Sequence, residues 1–248
     1  MITIKKLSSD MVVQVEKTPL IKLEIIDGVK LYNSDCVIVI AARPGIGKTN
    51  TACKITAQYA KTGKTVLYYS GEMPCEMIAY RLHDIYGCDE NALNNILCID
   101  TVADVSQIGC AVETVNPDLI IIDQISLLNP PREFFGDMAN SLAATENIKA
   151  LVSLQRKLKI PVIVLSQINR KSDDKKGLDL DRIALSDAIG QFATVVIGVE
   201  KLDNSAFDFA YKYTVLKSRY GADKWEYIDE YDKDLGWVKD FEFNTQTL

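Results

Sequence analysis

Apolar runs alternate with amphipathic stretches along the first two thirds of the chain. The runs are short and almost wholly apolar, and the stretches between them repeat their apolar residues with helical spacing. The predicted strands are residues 36–41, 65–69, 96–99, 119–122 and 161–165. The predicted helices are residues 48–61, 74–86, 104–115 and 138–158. Apolar strands joined through helices are typical of a parallel sheet covered on both faces, so we predict an α/β fold.

The pattern changes beyond residue 187. Segments 193–200, 207–216 and 225–229 include period-two alternation and are separated by turn signals. We predict that they are antiparallel strands at the edge of the sheet. Residues 226–242 carry seven acids against two lysines, which favours a solvated edge.

Length and composition indicate one globular domain. The chain has 248 residues, of which 48% are hydrophobic and 25% charged, and this excludes a disordered or collagenous protein. We expect residues 1–35 to be a lead-in packed on a main domain at 36–248. No apolar stretch approaches the roughly 20 residues that span a bilayer, and no secretion signal follows the amino terminus. The sequence therefore predicts a cytoplasmic protein without membrane insertion.

The spacing of the cysteines and the net charge limit which metal, disulfide and nucleic-acid sites the chain can form. The cysteines are ten or more residues apart without a C-x-x-C pair, and His83 is the only histidine, so a zinc-type site is not expected. We expect reduced thiols rather than disulfides at Cys36, Cys53, Cys75, Cys88, Cys98 and Cys110. A formal charge of −6 restricts any nucleic-acid contact to a local surface.

Residues 42–49 connect the first strand to the first helix and have the composition of a phosphate-binding P-loop. Small residues let backbone N–H groups surround phosphates, a lysine reaches the β and γ oxygens, and a hydroxyl holds Mg²⁺. The first glycine of the usual motif is Ala42 here. The predicted nucleotide-binding residues are Arg43, Pro44, Gly45, Ile46, Gly47, Lys48, Thr49 and Asn50.

Polar residues follow three other predicted strands. Asp123 ends an apolar strand, and together with Thr49 it is the predicted metal side of a Mg²⁺–nucleotide site. Glu72 follows the second strand and is the candidate base that orients the attacking water. Gln167 follows the fifth strand, where it would sense the γ-phosphate. The alternatives are a solvated cap of the following helix for Glu72, a cap of the next turn for Asp123 and a similarly structural role for Gln167.

Five segments in order resemble the RecA-like motor domain of DnaB-type replicative hexameric DNA helicases. The resemblance covers roughly residues 20–225, and its segments are 42–44 before the P-loop glycines, 71–74, 122–128, 165–170 and 217–221. It implies a RecA-like P-loop fold that binds ATP and Mg²⁺, with Asp123 holding the metal through water. It also implies that Lys217 and Arg219 reach the nucleotide of the neighbouring subunit. Without the resemblance, these two residues would be assigned to a solvated strand face.

The resemblance further implies single-stranded DNA in the centre of a hexameric ring. The first loop, residues 129–137, offers Arg132 with two phenylalanines. The second loop, residues 169–182, has a net charge of only +1 because four aspartates oppose its five cations. Those cations are Arg170, Lys171, Lys175, Lys176 and Arg182.

Two hypotheses of function follow. The first is an ATP-driven helicase motor of a bacterial, phage or mobile-element replication system, with a helicase loader as a possible partner. We expect no amino-terminal collar domain, and hence no primase coupling, because 35 residues precede the first strand. The second is an ATP-binding regulatory or assembly protein of the recombinase and clock-ATPase type, which does not unwind DNA. A small-molecule kinase is disfavoured because no arginine-rich lid insertion is present.

Overall fold

The computed structural model describes residues 31–136, 138–168, 187–202, 209–221, 226–232 and 236–238. Within these ranges the strands form one nine-stranded sheet in the order β3-β2-β4-β5-β1-β6-β7-β8-β9. The strands are β1 (Val37–Ala42), β2 (Val66–Ser70), β3 (Ile96–Ile99), β4 (Leu119–Asp123), β5 (Val162–Gln167), β6 (Val195–Lys201), β7 (Phe209–Ser218), β8 (Glu226–Asp232) and β9 (Gly236–Val238). The first six strands of this spatial order, from β3 at one side to β6, pair in parallel. The pairings of β6 with β7, β7 with β8 and β8 with β9 are antiparallel. The predicted α/β fold with antiparallel edge strands is therefore confirmed.

Helices cover both faces of the parallel part. They are α1 (Lys48–Ala60), α2 (Cys75–Asp84), α3 (Glu90–Leu93), α4 (Val105–Val115), α5 (Ala139–Leu158) and α6 (Asp187–Phe192). The short helices α3 and α6 were not predicted, because so few residues show no helical period. The other boundaries agree with the prediction to within a few residues.

The core has two layers because successive side chains of each strand face opposite sides. In β1, Ile38 and Ile40 belong to the layer beneath α1 and α2, while Val37 and Val39 belong to the layer beneath α4 and α5. All six residues of β1 are buried. This two-sided burial explains why the strand is apolar throughout rather than alternating.

Strand register brings the chemically important residues to two opposite edges of the sheet, each formed by strand ends: one by the carboxyl ends of the parallel strands and the other by their amino ends. Ala42 pairs with Gln167, and Ser70 pairs with Asp123, so four strands end at one edge. Because β7 runs antiparallel to β6, its carboxyl end lies at the other edge, where Ser218 pairs with Val195. The amino end of β7 returns to the first edge.

Two expectations about individual side chains are wrong. Cys75 and Cys98 form a disulfide, with Cα atoms 5.8 Å apart, because the start of α2 lies beside the edge strand β3. Spacing along the chain does not reveal such a contact. Asp229 in the acidic segment is buried and paired with Lys54 of α1, since one face of β8 packs against that helix, whereas Glu226 and Ile228 on the other face are exposed.

The described end of the lead-in packs on the domain. Leu31 is buried, and the carbonyl of Asn33 accepts a hydrogen bond of 2.6 Å from Gln155 Nε2. Residues 1–30 lie outside the described residues. Across the described ranges, no helix is both long enough and apolar enough to cross a bilayer.

Candidate nucleotide-binding site

The predicted phosphate loop lies between β1 and α1. Its turn is closed by a hydrogen bond of 3.4 Å from the Ile46 amide to the Arg43 carbonyl. Gly45 has a φ of +74° and Gly47 a φ of +112°, conformations that other residues rarely adopt. A Cβ at Gly45 would meet nothing within 4 Å, so glycine is required there by the backbone and not by crowding.

Asp123 forms the buried floor beside this loop. Its Oδ2 accepts hydrogen bonds of 2.8 Å from Thr49 Oγ1 and 3.0 Å from the Tyr68 hydroxyl. Burial raises the pKa of the Asp123 carboxyl and the charge of Glu72 raises it further, whereas the two hydrogen bonds and Lys48 oppose this shift. The net pKa lies above the ordinary value, as expected for a carboxylate prepared for a cationic ligand.

The surroundings of the second carboxylate oxygen of Asp123 indicate a metal site. Oδ1 is buried and has no hydrogen-bond partner among the described residues. Buried carboxylate oxygens are rarely left unpaired, and a hydrated Mg²⁺ would satisfy this one. The described ranges hold no group of three or more His, Cys, Asp or Glu side chains that could bind a metal alone. Thr49 and Asp123 therefore fit a Mg²⁺ ion, which they would hold beside the phosphate loop.

Lys48 and Glu72 complete a charged cluster with Asp123. Burial lowers the pKa of Lys48, and the negative charges of Glu72 and Asp123 oppose this shift. Hydrogen bonds place the three residues together: Thr49, which follows Lys48, donates to Asp123 Oδ2, and the amide of Gly71, which precedes Glu72, donates to the Asp123 carbonyl. The structure thus brings together the residues that follow β1, β2 and β4.

Glu72 is exposed, but its turn is fixed on both sides. Gln124 Nε2 donates a hydrogen bond of 2.6 Å to Glu72 Oε1. At the preceding Gly71, an added Cβ would lie 2.8 Å from the Cβ of Leu127, so the turn packs directly on the segment after β4. The carboxylate is therefore held near the phosphate loop by two neighbouring strand ends.

Two other predicted residues have different surroundings. Gln167 pairs with Ala42 at the end of β5, so its backbone lies beside the first residue of the phosphate loop, and the residue is half-buried. The Asn50 side chain instead accepts a hydrogen bond of 2.6 Å from Arg81 Nη1 of α2. Asn50 therefore contributes a link between α1 and α2.

Lys217 and Arg219 lie at the edge opposite the phosphate loop. Lys217 Nζ donates to the carbonyls at the end of α6, those of Gly190, Gln191 and Ala193, at 2.6 to 3.0 Å. Arg219 donates to both carboxylate oxygens of Asp35, at 3.1 and 2.9 Å, and to the Phe192 carbonyl. The length of β1, roughly 20 Å at 3.3 Å per residue, separates them from their own loop. Lys217 is therefore not on the solvated strand face considered from the sequence alone, whereas Arg219 is exposed but bonded to Asp35.

The Arg219 contact makes a testable prediction about acid stability. Burial raises the pKa of Asp35, but hydrogen bonds from Tyr220 and Arg219 and the charge of Arg219 outweigh it and hold the pKa below the ordinary value. A carboxylate whose pKa is lowered by folding stabilises the fold at pH values above its unfolded-state pKa of about 4. This stabilisation is lost as the pH falls through the folded-state pKa.

We expect Asp35→Asn to lower the free energy of unfolding at pH 7 by about 1.5–3 kcal/mol, the range for hydrogen bonds to charged groups. Urea titrations between pH 7 and pH 2.5 should show the difference from wild type shrinking in acid. Parallel stability curves for the two proteins would contradict the assigned ion pair. Asp100→Asn is a control at an exposed carboxylate, which accepts a hydrogen bond from the Cys75 amide.

Of the predicted DNA-contacting residues, the structure describes only Arg132. Its guanidinium lies 5.1 Å from the centre of the Phe134 ring, and the neighbouring Phe135 is 84% exposed. The other candidates lie outside the described residues, and they are Arg170, Lys171, Lys175, Lys176 and Arg182.

Comparison with known proteins places these features in a family. Residues 22–95 and 94–226 match the DnaB-like helicase C terminal domain. The chain belongs to this family. The motor-domain resemblance inferred from the five segments is thereby confirmed, and the P-loop and Asp123 of this DnaB-like domain support an ATPase.

Relatives and solved structures agree with this membership. The replicative DNA helicase DnaB of Pasteurella multocida is 28% identical over 65% of this chain and 41% of its own length. The DNA repair protein RadA of Streptococcus pneumoniae is 24% identical over 54% of this chain and 30% of its own length. A solved structure of a DnaB-like replicative helicase superposes with a TM-score of 0.69 and 21% identity, over 83% of this chain and 59% of that chain. This DnaB-like chain thus spans less than half the length of these curated relatives.

Three residues that contact the predicted functional residues of this DnaB-like domain were not identified from the sequence. Tyr68 donates a hydrogen bond to Asp123, and Gln124 donates one to Glu72. Asp35 accepts hydrogen bonds from Arg219. A polar residue directly after the strand acid was a usable signal for Gln124. No local signal marks Tyr68, which lies within an apolar strand, or Asp35, which is 184 residues from its partner.

Proposed function

We propose that this chain is the ATP-driven motor of a ring-forming DNA helicase that translocates on single-stranded DNA and unwinds duplexes. The supporting observation is the division of the machinery between two edges of one sheet. Lys48, Glu72 and Asp123 meet at one edge, whereas Lys217 and Arg219 lie at the other. A single copy cannot bring both sets to one nucleotide, but head-to-tail neighbours in a ring can.

In the proposed mechanism, the backbone N–H groups of residues 45–49 and the Lys48 ammonium hold the phosphates. Thr49 and Asp123 would hold Mg²⁺, which would neutralise negative charge on the phosphates when bound. Glu72 accepts a proton from the attacking water, and Gln124 fixes the carboxylate that does so. Gln167 senses the γ-phosphate, and Arg219 of the neighbouring copy stabilises the charge of the transferring group.

The partners follow from the same proposal. We assign a homohexameric ring with single-stranded DNA in its channel, in the cytoplasm of a bacterial or phage replication system. The exposed Phe135 and Arg132 would contact DNA at the channel wall. A helicase loader is a further expected partner.

DNA-stimulated ATP hydrolysis tests this function. We expect phosphate release from the purified chain to rise on addition of a single-stranded oligonucleotide, and the stimulation to fall steeply between 50 and 200 mM salt. A forked duplex with a labelled strand should be separated in the presence of ATP. Mass measurement with a nonhydrolysable ATP analogue should reveal the ring. ATP binding without stimulation, and with the fork intact, would instead favour the regulatory or assembly protein.

A further inference from the structure

The antiparallel end of the sheet contacts the phosphate loop and its helix at three successive positions. Tyr211 of β7 packs on Gly47, the hydroxyl groups of Tyr213 and Thr51 share a hydrogen bond of 3.2 Å, and Asp229 pairs with Lys54. Positions 47, 51 and 54 are spaced four and three residues apart, so they lie on one face of α1. The contact at Gly47 is the one that touches the loop itself.

The ring of Tyr211 fills the space beside the Gly47 backbone. A Cβ on residue 47 would lie 2.7 Å from Tyr211 Cε1 and 2.8 Å from its Cζ and hydroxyl oxygen. Tyr211 is 4% exposed, so its ring is enclosed and cannot simply swing into solvent. The neighbouring Gly45 has no such contact within 4 Å. The phosphate loop therefore packs against the Tyr211 ring at Gly47, whereas the Cβ side of Gly45 has no packing neighbour among the described residues.

This support bears on phosphate binding because Gly47 immediately precedes Lys48 and Thr49. The N–H groups of a phosphate loop must converge on the ligand, and any freedom of the empty loop must be given up on binding. A buried ring against Gly47 removes part of that freedom in advance. The strand register places the ring beside the loop. Tyr211 pairs with Lys201 at the carboxyl end of β6, and β6 runs parallel to β1, whose carboxyl end leads into the loop.

We propose that Tyr211 is a positioning residue for the phosphate loop: its ring holds the Gly47–Lys48 backbone in the phosphate-binding conformation. The inference rests on the proposed function of ATP binding and adds a residue outside the five family segments. The ring carries the role, not the hydroxyl group. Tyr213, two residues along the same strand, instead contacts Thr51 within α1 and the ring of Tyr227.

The test compares matched substitutions by calorimetric titration with MgADP at 15 °C. Tyr211→Leu is expected to raise the Kd about tenfold, equal to about 1.4 kcal/mol. Tyr211→Phe keeps the ring and should bind within about twofold of wild type. Tyr213→Leu removes an equally buried ring from the same strand, and it should lower the Tm while leaving the Kd within about twofold. Tyr211→Met, which keeps more bulk, is the second variant if Tyr211→Leu does not fold, and it should also raise the Kd.

Two results would overturn this inference while leaving ATP binding intact. One is a Tyr211→Leu or Tyr211→Met variant that binds MgADP as tightly as wild type. The other is an equal rise in Kd for Tyr213→Leu, which would make the effect one of general destabilisation. A wild-type chain that does not bind MgADP would overturn the proposed function and this inference with it.

Discussion

Glu72→Gln is expected to slow ATP hydrolysis by about 10²–10⁴-fold, the contribution typical of a positioned general base. The amide oxygen of glutamine can still accept the hydrogen bond from Gln124, so the turn should keep its conformation. Nucleotide binding should change little, because the phosphates are held by the loop and Lys48. The measurements are phosphate release at saturating ATP and the Kd of a fluorescent ATP analogue.

Glu76 provides the matched control for this variant. It is an exposed acid in the first turn of α2, four residues further along the chain. Glu76→Gln should hydrolyse ATP at the wild-type rate. Hydrolysis by Glu72→Gln at more than a tenth of the wild-type rate would mean that another group orients the water, and Glu72 would then be only a helix-proximal acid.

The main sheet could be predicted because its strands are buried on both faces. A run such as Val37–Ala42 is apolar at every position, and the helices between such runs are long enough to show their period. Once strands are parallel, their polar ends must meet at one edge. Lys48, Glu72 and Asp123 could therefore be assigned to one site before any coordinates were considered.

Contacts between distant segments could not be predicted in this way. The disulfide of Cys75 with Cys98, the ion pair of Lys54 with Asp229 and the packing of Tyr211 on Gly47 each join elements whose proximity is decided by tertiary packing. Asp229 shows the error most clearly. Its acidic neighbours favoured a solvated edge, but a single buried partner on α1 outweighs the composition of the segment.

Arg219→Ala should reduce the ATPase rate of assembled rings by about 10³–10⁵-fold, the effect of losing an arginine finger. The reason is positional: Arg219 lies at the edge of the sheet opposite its own phosphate loop, with its guanidinium on Asp35. It can reach a nucleotide only on another copy. Steady-state phosphate release checks the loss, and Arg156→Ala, an exposed arginine in the last turn of α5, is the control.

Mixing two inactive variants separates a trans role from a structural one. Lys48→Ala disables the phosphate loop but keeps Arg219, whereas Arg219→Ala keeps the loop. In a ring with head-to-tail interfaces, equal amounts of the two variants create intact sites at about a quarter of the interfaces. Activity should therefore reappear on mixing, at roughly that fraction of the wild-type rate when sites act independently. Mixed rings as inactive as either variant would show that Arg219 serves the fold of its own chain through Asp35, and a single copy would then have to complete its site with other residues.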